Sequence, residues 1–268
     1  MADKATTTQS KSLEGKVAIV TGGASGIGET TARLFADHGS RVVVIADIQD
    51  EKGEHVATSI GTHRCSYIHC DVADEDQVRS MVDWTVQKYG RLDIMFSNAG
   101  ICNDQQTILD LDLTVMDRLF SINVRGMAAC VKHAGRAMVE GGVKGSIVCT
   151  ASVAASVGGM AFTDYTMSKH AVLGLMRSAS RQLGRHGIRV NCVSPSGVAT
   201  PMPCQLSGME KDEVEKFFSK STSLKGLVLK VNHVAEAVLF LASDASAFVT
   251  GHNLAVDGGY IPSPATAS

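Results

Sequence analysis

A tyrosine and a lysine stand four residues apart in the segment YTMSK, as Tyr165 and Lys169. If this segment is helical, both side chains lie on one face. A free tyrosine, with a pKa of about 10, is a weak base at neutral pH. A lysine ammonium about 4 Å away would stabilise the phenolate by on the order of 4 kcal/mol at an effective dielectric constant of about 20, or roughly three pK units. The pair is a candidate acid/base for taking a proton from an alcohol, although two unrelated surface side chains would show the same spacing.

A serine precedes this pair in the chain. Ser152 ends the apolar run GSIVCTAS, thirteen residues before Tyr165. Its hydroxyl could hydrogen-bond a substrate oxygen and hold it beside Tyr165. No G-x-S-x-G turn surrounds Ser152, so a nucleophilic serine is not indicated. The alternative is a strand-end serine whose hydroxyl is satisfied by the backbone.

A glycine-rich loop, TGGASGIG at residues 21–28, joins a β-branched run to a helical pattern. The spacing of Gly22, Gly26 and Gly28 allows a tight turn, close approach of the backbone to a pyrophosphate, and a helix N-terminus that attracts anions. Asp47 follows Gly28 by nineteen residues, at the end of the next run. A carboxylate there can accept hydrogen bonds from the ribose of an adenosine. The pattern predicts a dinucleotide site.

The same residues predict which dinucleotide binds. The carboxylate of Asp47 would repel a 2′-phosphate, and neither Ser25 nor Ile48 supplies a cation to hold one. We therefore expect NAD rather than NADP. A positively charged nicotinamide ring would lower the pKa of Tyr165 further, whereas burial of the phenolate would raise it. Taken alone, the loop could be a tight turn of any α/β protein, and Asp47 a turn residue at a strand end.

Short β-branched runs alternate with helical patterns along the chain and are apolar almost throughout, as expected of strands covered on both faces. This predicts an α/β fold in one domain over residues 13–260: a doubly wound, Rossmann-like parallel sheet of about seven strands with helices on both faces. Residues 1–12 and 261–268 are predicted to be tails, the former flexible. The polar stretch 198–225 is a candidate lid over the substrate.

Ligands of such folds bind beyond the carboxyl ends of the strands. The third predicted strand ends at Asp71-Val72 and the fourth at Asn98-Ala99-Gly100. Both segments are candidates for cofactor contacts, although each alone is also typical of an ordinary turn.

The composition narrows the classes of function. A formal net charge of −2 gives no reason to expect nucleic acid or an anionic membrane as a partner, and no apolar run is long enough to cross a bilayer. Seven cysteines without a C-x-x-C spacing, and a start without an apolar signal segment, predict a reduced, cytoplasmic protein. None of the nine histidines has a metal-ligand spacing, so no metal site is expected.

The segments TGGASGIG, CDV, NAG, SIN and YTMSK, with Ser152 and the closing VDGGY, resemble the short-chain dehydrogenase/reductase family over nearly the whole chain. Within that family, GKVAIVTGGASGIGETTARLF, KHAVLGLMRS and GIRVNCVSP are similar to the plant secoisolariciresinol dehydrogenase-like group, which includes borneol and related terpenoid alcohol dehydrogenases. The resemblance implies an NAD-dependent enzyme that oxidises a small hydrophobic cyclic secondary alcohol, of terpenoid, lignan or diterpenoid type, to the ketone.

The resemblance also implies roles for single residues. Asn123, in SIN, would complete a catalytic tetrad with Ser152, Tyr165 and Lys169 and orient a water that relays protons from Lys169 to solvent. Lys169 would also bind the nicotinamide ribose. In the family a glycine usually follows the proline after the sixth strand, whereas this chain has Ser196, which affects the contacts expected of residues 196–200. The predicted cofactor-binding residues, of which Val198 and Thr200 would hold the carboxamide, are Gly22, Ser25, Gly26, Ile27, Gly28, Asp47, Ile48, Asp71, Val72, Asn98, Ala99, Gly100, Tyr165, Lys169, Val198 and Thr200.

Apolar residues flank the predicted site. Met160, Phe162 and Met202 could join Ser152 and Tyr165 in binding the substrate, or belong to the core, because pockets and cores use the same residue types. The small residues around the YTMSK helix, with the resemblance, predict a homotetramer. Two alternatives for the function stay open: an NADP(H)-preferring ketoreductase of steroid or tropinone type, and a non-catalytic nucleotide-binding scaffold, against which the complete tetrad argues.

Overall fold

A computed structural model describes residues 12–260, so the predicted tails lie outside the described residues except for Ser12. Within this range seven strands form one sheet in the order β3-β2-β1-β4-β5-β6-β7, and every neighbouring pair is parallel. This confirms the predicted doubly wound, Rossmann-like sheet. The strands are β1 (Val17–Thr21), β2 (Val42–Asp47), β3 (Cys65–His69), β4 (Ile94–Ser97), β5 (Ser146–Thr150), β6 (Arg189–Pro195) and β7 (Asn253–Val256).

Helices cover both faces of the sheet, as predicted. One apolar core packs the sheet against α1, α2 and α9, and the other packs it against α3, α5 and α6. The helices are α1 (Gly26–Asp37), α2 (Asp50–Ile60), α3 (Glu75–Tyr89), α4 (Leu113–Phe120), α5 (Met127–Glu140), α6 (Thr163–Leu183), α7 (Pro201–Ser207), α8 (Lys211–Ser219) and α9 (Val231–Ala242). A π-helical turn (Ser121–Gly126) joins α4 to α5. Short 3-10 helices span Val153–Ala155, Gly184–His186 and Asp244–Ser246.

Local sequence signals explain the ends of α3. Asp74 lies just before the helix, and its side chain accepts hydrogen bonds from the backbone N–H groups of Asp76 and Gln77. Gly90 ends the helix with a φ of 83°, a left-handed conformation that glycine adopts without a steric penalty. The chain then enters β4.

The carboxyl ends of the strands meet at one rim of the sheet. The strand order reverses between β1 and β4, which is the point where ligands bind in open α/β sheets. Asp47, at the end of β2, and Thr150, at the end of β5, lie at this rim on either side of the reversal. The fold thus gathers the strand-end residues that the sequence predicts as functional. No helix within residues 12–260 has the length and hydropathy required to cross a membrane.

The predicted lid, residues 198–225, contains α7 and α8. A Cβ atom added to Gly197 would lie 2.2 Å from the ring of Phe218, so α8 packs directly on the backbone that follows β6. Glu215 of α8 is buried and forms an ion pair with Lys230 at the start of α9. These contacts hold the lid against the rim.

Candidate active site

The glycine loop has the geometry that its spacing predicts. Gly22 and Gly26 have φ values of 64° and 56°, in the left-handed region that favours glycine. A Cβ atom on Gly28 would lie 2.0 Å from the carbonyl oxygen of Gly22, so only glycine fits there. Ser25 precedes α1 in an extended conformation without a side-chain hydrogen bond to the helix. The first turn of α1 therefore has no side-chain cap and can offer its N–H groups to an anion.

Asp47 lies where a ribose would be recognised, at the end of β2 beside the glycine loop. Its side chain is 7% exposed; Oδ2 accepts a hydrogen bond from the Ala24 N–H at 3.0 Å and Oδ1 accepts one from the Gln49 N–H at 3.1 Å. Oδ1 also accepts a hydrogen bond from the Gln49 side-chain amide at 3.2 Å, so Oδ2 is the oxygen that retains a second lone pair for a hydroxyl. The neighbouring Ile48 is 60% exposed, beside this position.

Two threonines that the sequence did not single out, Thr21 and Thr150, form hydrogen bonds between neighbouring strand ends at the rim. Thr21 Oγ1 accepts hydrogen bonds from the N–H groups of Asn98 (2.9 Å) and Ala99 (3.1 Å). Thr150 Oγ1 donates to Asn98 Oδ1 at 3.0 Å. Asn98 therefore links β1, β4 and β5, and its amide is engaged by the protein itself. Strand-end position was the only sequence signal for the threonines.

Asp71 and Val72, which follow β3, are held in a turn. Asp71 Oδ1 accepts a hydrogen bond from the Ala73 N–H at 2.9 Å, and Val72 is 6% exposed. A Cβ atom on Gly126 would lie 2.8 Å from the Val72 carbonyl oxygen, so the π-helical turn packs against this segment. Both readings of Asp71-Val72, turn and cofactor contact, are compatible with this placement at the rim.

Tyr165 and Lys169 lie on one face of α6, as the spacing predicts. Lys169 Nζ is 5.4 Å from the centroid of the Tyr165 ring and donates a hydrogen bond to the Thr150 carbonyl oxygen at 2.9 Å. The lysine is only 3% exposed. A Cβ atom on Gly100 would lie 3.7 Å from Lys169 Nζ, so the end of the β4 rim borders the ammonium group. The pair is therefore at the predicted cofactor rim.

Ser152 precedes the 3-10 helix of Val153–Ala155, beside the phenol. Its hydroxyl oxygen accepts a hydrogen bond from the Ala154 N–H at 3.2 Å, which is the backbone contact expected of a strand-end serine. Burial raises the pKa of the Tyr165 phenol, and the Ser152 hydroxyl opposes that rise. The backbone contact of Ser152 is therefore present, and its contact with a substrate oxygen stays a prediction.

Burial shifts the pKa of both members of the pair. Removal from water lowers the pKa of Lys169 from 10.5 to about 8, since the ammonium is the charged form. Burial shifts the pKa of Tyr165 in the other direction, above its ordinary value of 10, because the charged form of a phenol is the deprotonated one. In the protein alone, burial thus outweighs the lowering by the Ser152 hydroxyl, and the net lowering of the pKa that we predicted from Lys169 is not seen. The positive charge of an oxidised nicotinamide would be required to make the phenol acidic.

Asn123 lies in the π-helical turn and is fully buried. Its Oδ1 accepts a hydrogen bond from the Ile101 N–H at 2.8 Å, and its Nδ2 donates to the Ile101 carbonyl oxygen at 2.8 Å and to Ser168 Oγ at 3.3 Å. Ser168 in turn donates to the Tyr165 carbonyl oxygen at 2.8 Å. Asn123 thereby connects the chain after β4 to the turn of α6 that carries Tyr165. Its role in a water relay stays a prediction.

The residues after β6 approach the glycine loop. A Cβ atom on Gly26 would lie 3.3 Å from the side chain of Thr200, and Val198 is 5% exposed. At the position where the family's usual glycine is replaced, Ser196 is 8% exposed and its hydroxyl has no hydrogen-bond partner among the described residues. Gly197, the next residue, has no side chain and so lets the Phe218 ring of α8 pack directly on the backbone. Thr200 thus lies beside the predicted pyrophosphate loop, and the carboxamide contacts of Val198 and Thr200 stay a prediction.

The three apolar candidates for substrate binding are placed differently. Met160 is 97% exposed, and the structure does not bring it into the site. Phe162 and Met202 are half-buried. Phe162 directly precedes α6 with a φ of 61°, a strained conformation for an aromatic residue. Of the three, Phe162 is adjacent to the segment that carries Tyr165.

The histidines and cysteines of the described part of the chain lie apart from one another or make other contacts. Within residues 12–260 no group of three or more His, Cys, Asp or Glu side chains could hold a metal ion. His133 is 6% exposed and contacts Glu75, and His170 contacts the Thr166 carbonyl oxygen. The seven cysteines, all within this range, are free thiols.

Comparison with known proteins identifies the family. A sequence model of the family described as Enoyl-(Acyl carrier protein) reductase matches residues 22–261. The chain is 62% identical over 250 residues to the (-)-isopiperitenol/(-)-carveol dehydrogenase, mitochondrial, of Mentha piperita, which covers 93% of this chain and 94% of that protein. It is 60% identical over 258 residues to a (+)-cis,trans-nepetalactol synthase of Nepeta racemosa, covering 95% and 96%. The chain belongs to the short-chain dehydrogenase/reductase family.

Solved structures of the family share the whole architecture. The crystal structure of levodione reductase matches with a TM-score of 0.85 at 31% identity, covering 92% of this chain and 98% of that one. Short-chain dehydrogenases/reductases are oxidoreductases that use a nicotinamide cofactor, and the residues present fit such a group. A glycine cradle that a Cβ atom would fill, a helix N-terminus without a side-chain cap, and a buried carboxylate at the end of β2 all lie along one rim.

Proposed function

We propose that this protein is an NAD-dependent dehydrogenase that oxidises a hydrophobic cyclic secondary alcohol to the ketone. The observation that carries the proposal is the placement of Tyr165, Lys169 and Ser152 together at the rim that the glycine loop occupies. A phenol, an ammonium and a hydroxyl at a dinucleotide rim form an acid/base site, not a hydrolytic one. The reverse reduction of the ketone uses the same groups.

In this mechanism the protein handles the proton. The Ser152 hydroxyl donates a hydrogen bond to the substrate oxygen and orients it at Tyr165. The Tyr165 phenolate takes the hydroxyl proton while the carbon–hydrogen bond of the alcohol breaks. An oxidised nicotinamide cofactor, held by the glycine loop and Asp47, would supply the acceptor for the hydride, so that the overall reaction gives ketone, reduced cofactor and one proton. Lys169, fixed by the Thr150 carbonyl, keeps its positive charge close to the phenolate.

The substrate class follows from the relatives and from the lid. One relative is named for oxidising isopiperitenol and carveol and another for forming nepetalactol, so both names refer to small cyclic terpenoids. In this chain the lid helix α8 carries Phe217 and Phe218 in edge-to-face contact, 5.2 Å between ring centroids. Apolar side chains on a lid suit an apolar substrate and exclude water. We therefore propose a terpenoid alcohol of one or two rings.

NAD is the proposed cofactor because of Asp47. A 2′-phosphate would meet a buried carboxylate that already accepts two backbone hydrogen bonds. One cation comes near: Lys52 Nζ donates to Gln49 Oε1 at 2.7 Å, and the Gln49 amide donates to Asp47 at 3.2 Å. These contacts stabilise the Asp47 carboxylate, and the Gln49 side chain separates it from the Lys52 ammonium group. The rival, an NADPH-dependent ketoreductase, would show reduction with NADPH well above that with NADH.

The proposal is tested with a panel of cyclic secondary alcohols, including carveol, borneol and a lignan diol, by following NAD⁺ reduction. We expect turnover in the wild type, and its loss in Tyr165→Phe with NAD⁺ binding unchanged within about twofold, because phenylalanine removes the acid/base and little else. Tyr260→Phe, at an exposed tyrosine shortly after β7, is the matched control and should keep full turnover. Turnover in Tyr165→Phe would overturn the mechanism, and NAD⁺ binding without oxidation of any alcohol would favour the scaffold.

We also propose a homotetramer built on the α5/α6 face. A groove of about 390 Å³ runs between these helices and is lined by apolar side chains such as Val131, Val139 and Leu175. Gly174 faces solvent on α6, with open space around its Cβ position. Light scattering after size-exclusion chromatography should give four copies for the wild type and for Glu51→Arg on α2, and fewer for Gly174→Arg. A tetrameric Gly174→Arg variant would move the interface elsewhere.

A cytoplasmic location is proposed from the seven cysteines, which are all free thiols. A relative from Mentha piperita has "mitochondrial" in its name. Imaging of the full chain fused at its C-terminus to a fluorescent protein decides between the two. Fluorescence that coincides with a mitochondrial dye would overturn the proposal.

A further inference from the structure

A fully buried carboxylate adjoins the reactive tyrosine. Asp164, the second residue of α6, is 0% exposed. Its Oδ1 accepts a hydrogen bond from the backbone N–H of Tyr165 at 2.7 Å, and its Oδ2 accepts one from Asn103 Nδ2 at 2.6 Å. None of the ion pairs within residues 12–260 includes Asp164. Neutral donors and the N-terminus of α6 therefore compensate for burying this charge.

Asn103 belongs to a segment that lies across the start of α6, here called the β4 loop (residues 101–106). The backbone N–H and C=O groups of its first residue, Ile101, both form hydrogen bonds with the side chain of Asn123. At its last, the Gln106 carbonyl oxygen accepts hydrogen bonds from the N–H (3.3 Å) and hydroxyl (3.1 Å) of Thr163. Asn103, between them, supplies the contact from the middle of the loop to the carboxylate, and also donates to the Val115 carbonyl oxygen at 3.3 Å.

The β4 loop begins beside the reactive groups. A Cβ atom on Gly100, the residue just before the loop, would lie 3.7 Å from Lys169 Nζ. Cys102, the second residue of the loop, is half-buried, and burial raises the pKa of its thiol to about 12, so the thiol stays neutral and serves as a packing group. A shift of this loop would therefore change the surroundings of the tyrosine–lysine pair.

We propose that Asp164 and Asn103 form a clamp that sets the position of Tyr165 relative to the β4 loop, and that Asp164 is a positioning residue for alcohol oxidation. This inference rests on the proposed dehydrogenase function. The side-chain chemistry explains why the clamp uses an acid and an amide. A carboxylate offers two acceptor oxygens, and each one here meets a donor, whereas an amide at the same position would offer one acceptor and one donor. Asp164→Asn must lose one of the two hydrogen bonds.

The exchange of the two side chains makes the test specific. Asp164→Asn loses one hydrogen bond and Asn103→Asp sets two carboxylates against each other. We expect each to lower kcat by about 10- to 100-fold while the Kd for NAD⁺ changes by less than about twofold, because misplacing the acid/base slows chemistry more than cofactor binding.

The double variant, Asp164→Asn with Asn103→Asp, restores the pairing in reverse. The amide introduced at position 164 can accept from the Tyr165 N–H and donate to the carboxylate introduced at position 103, so kcat should return to within about fivefold of wild type. Asp110→Asn, an exposed acid after the β4 loop, is the control and should leave kcat unchanged.

Three results would overturn the clamp: a kcat within about twofold of wild type in both single variants, an equal loss of NAD⁺ affinity, or a double variant as slow as the product of the two single effects. If Asp164→Asn does not fold, the comparison of Asn103→Asp with the double variant still decides.

Hydrogen–deuterium exchange separates this inference from the proposed function, because it needs no turnover. The amide of Tyr165 and the peptide that covers the β4 loop should exchange faster in Asn103→Asp and regain wild-type protection in the double variant. A wild type that oxidises no alcohol would refute the dehydrogenase while this readout still tests the clamp. Unchanged exchange in Asn103→Asp would refute the clamp whatever the substrate.

Discussion

Replacing Lys169 with methionine separates two effects of one buried charge. Methionine has a similar length and no charge, so it preserves packing while it removes the ammonium. Lys169 Nζ lies 5.4 Å from the centroid of the Tyr165 ring. At an effective dielectric constant of about 20, a charge at this distance stabilises the phenolate by about 3 kcal/mol, which corresponds to roughly two pK units.

The first effect concerns catalysis. With NAD⁺ bound, kcat should rise with pH as the Tyr165 phenol loses its proton. In Lys169→Met we expect this rising limb of the pH profile to shift to higher pH by about two units, and kcat at neutral pH to fall about 100-fold. The assay is initial-rate NADH formation at saturating NAD⁺ and alcohol across the pH range. Lys144→Met, at an exposed position, is the control and should leave the profile unchanged. A rising limb that stays at the wild-type pH in Lys169→Met would refute the electrostatic role of the lysine.

The second effect concerns stability and has the opposite sign. The folded-state pKa of Lys169 is about 8, below its ordinary value of 10.5, so the folded protein disfavours the protonated form. Below about pH 8 this costs about 3 kcal/mol of stability, and the cost disappears as the pH rises to about 10.5. The hydrogen bond to Thr150 returns about 1 kcal/mol. We therefore expect Lys169→Met without cofactor to be about 2 kcal/mol more stable than wild type at neutral pH, by urea denaturation. A less stable variant at that pH would contradict the burial penalty.

Three further predictions concern cofactor choice, the glycine loop and the lid. Asp47→Ala should raise kcat/KM for NADP⁺ by about 100-fold or more, since a like-charge pair about 4 Å apart costs on the order of 4 kcal/mol; unchanged NADP⁺ kinetics would argue against the Asp47 explanation. Gly28→Ala should abolish NAD⁺ binding measured by calorimetry, because its Cβ would lie 2.0 Å from a carbonyl oxygen, whereas Gly174→Ala, with open space around it, should bind normally. Gly197→Ala should raise the KM for the alcohol about tenfold, because the new Cβ would lie 2.2 Å from the Phe218 ring and would push that ring off the rim. Adding Phe218→Ala to this variant should remove the clash and lower the KM again. A KM that stays raised in the double variant would contradict this explanation.

Local signals were sufficient to predict the strands and helices and the placement of Tyr165 and Lys169 on one helical face. Apolar runs that do not alternate predicted parallel strands covered on both faces, and the structure has seven of them within residues 12–260. The four-residue spacing of Tyr165 and Lys169 predicted one helical face because helical geometry depends only on sequence separation. The glycine spacing predicted a tight turn for the same local reason, and Gly22 and Gly26 form it with left-handed backbone conformations.

Contacts between distant segments were beyond the reach of these signals. Asn98 meets Thr21 and Thr150 across 77 and 52 residues of chain, and Asn103 meets Asp164 across 61. No periodicity specifies which loop residue meets which helix end, because that depends on how the strands are ordered and how the loops pack. Met160 illustrates the limit: it is near Tyr165 in sequence, yet its side chain is 97% exposed.

The chain's amino-acid pattern is enough to predict the parallel α/β sheet, the tight turn of the glycine loop and the shared helical face of Tyr165 and Lys169, since each depends on residue type and short-range spacing. The direction of the pKa shifts at that pair depends instead on folding, because burial is a property of the packed molecule. Lys169 is 3% exposed only because β5, the chain after β4 and α6 enclose it, and that enclosure lowers the pKa of its ammonium group to about 8.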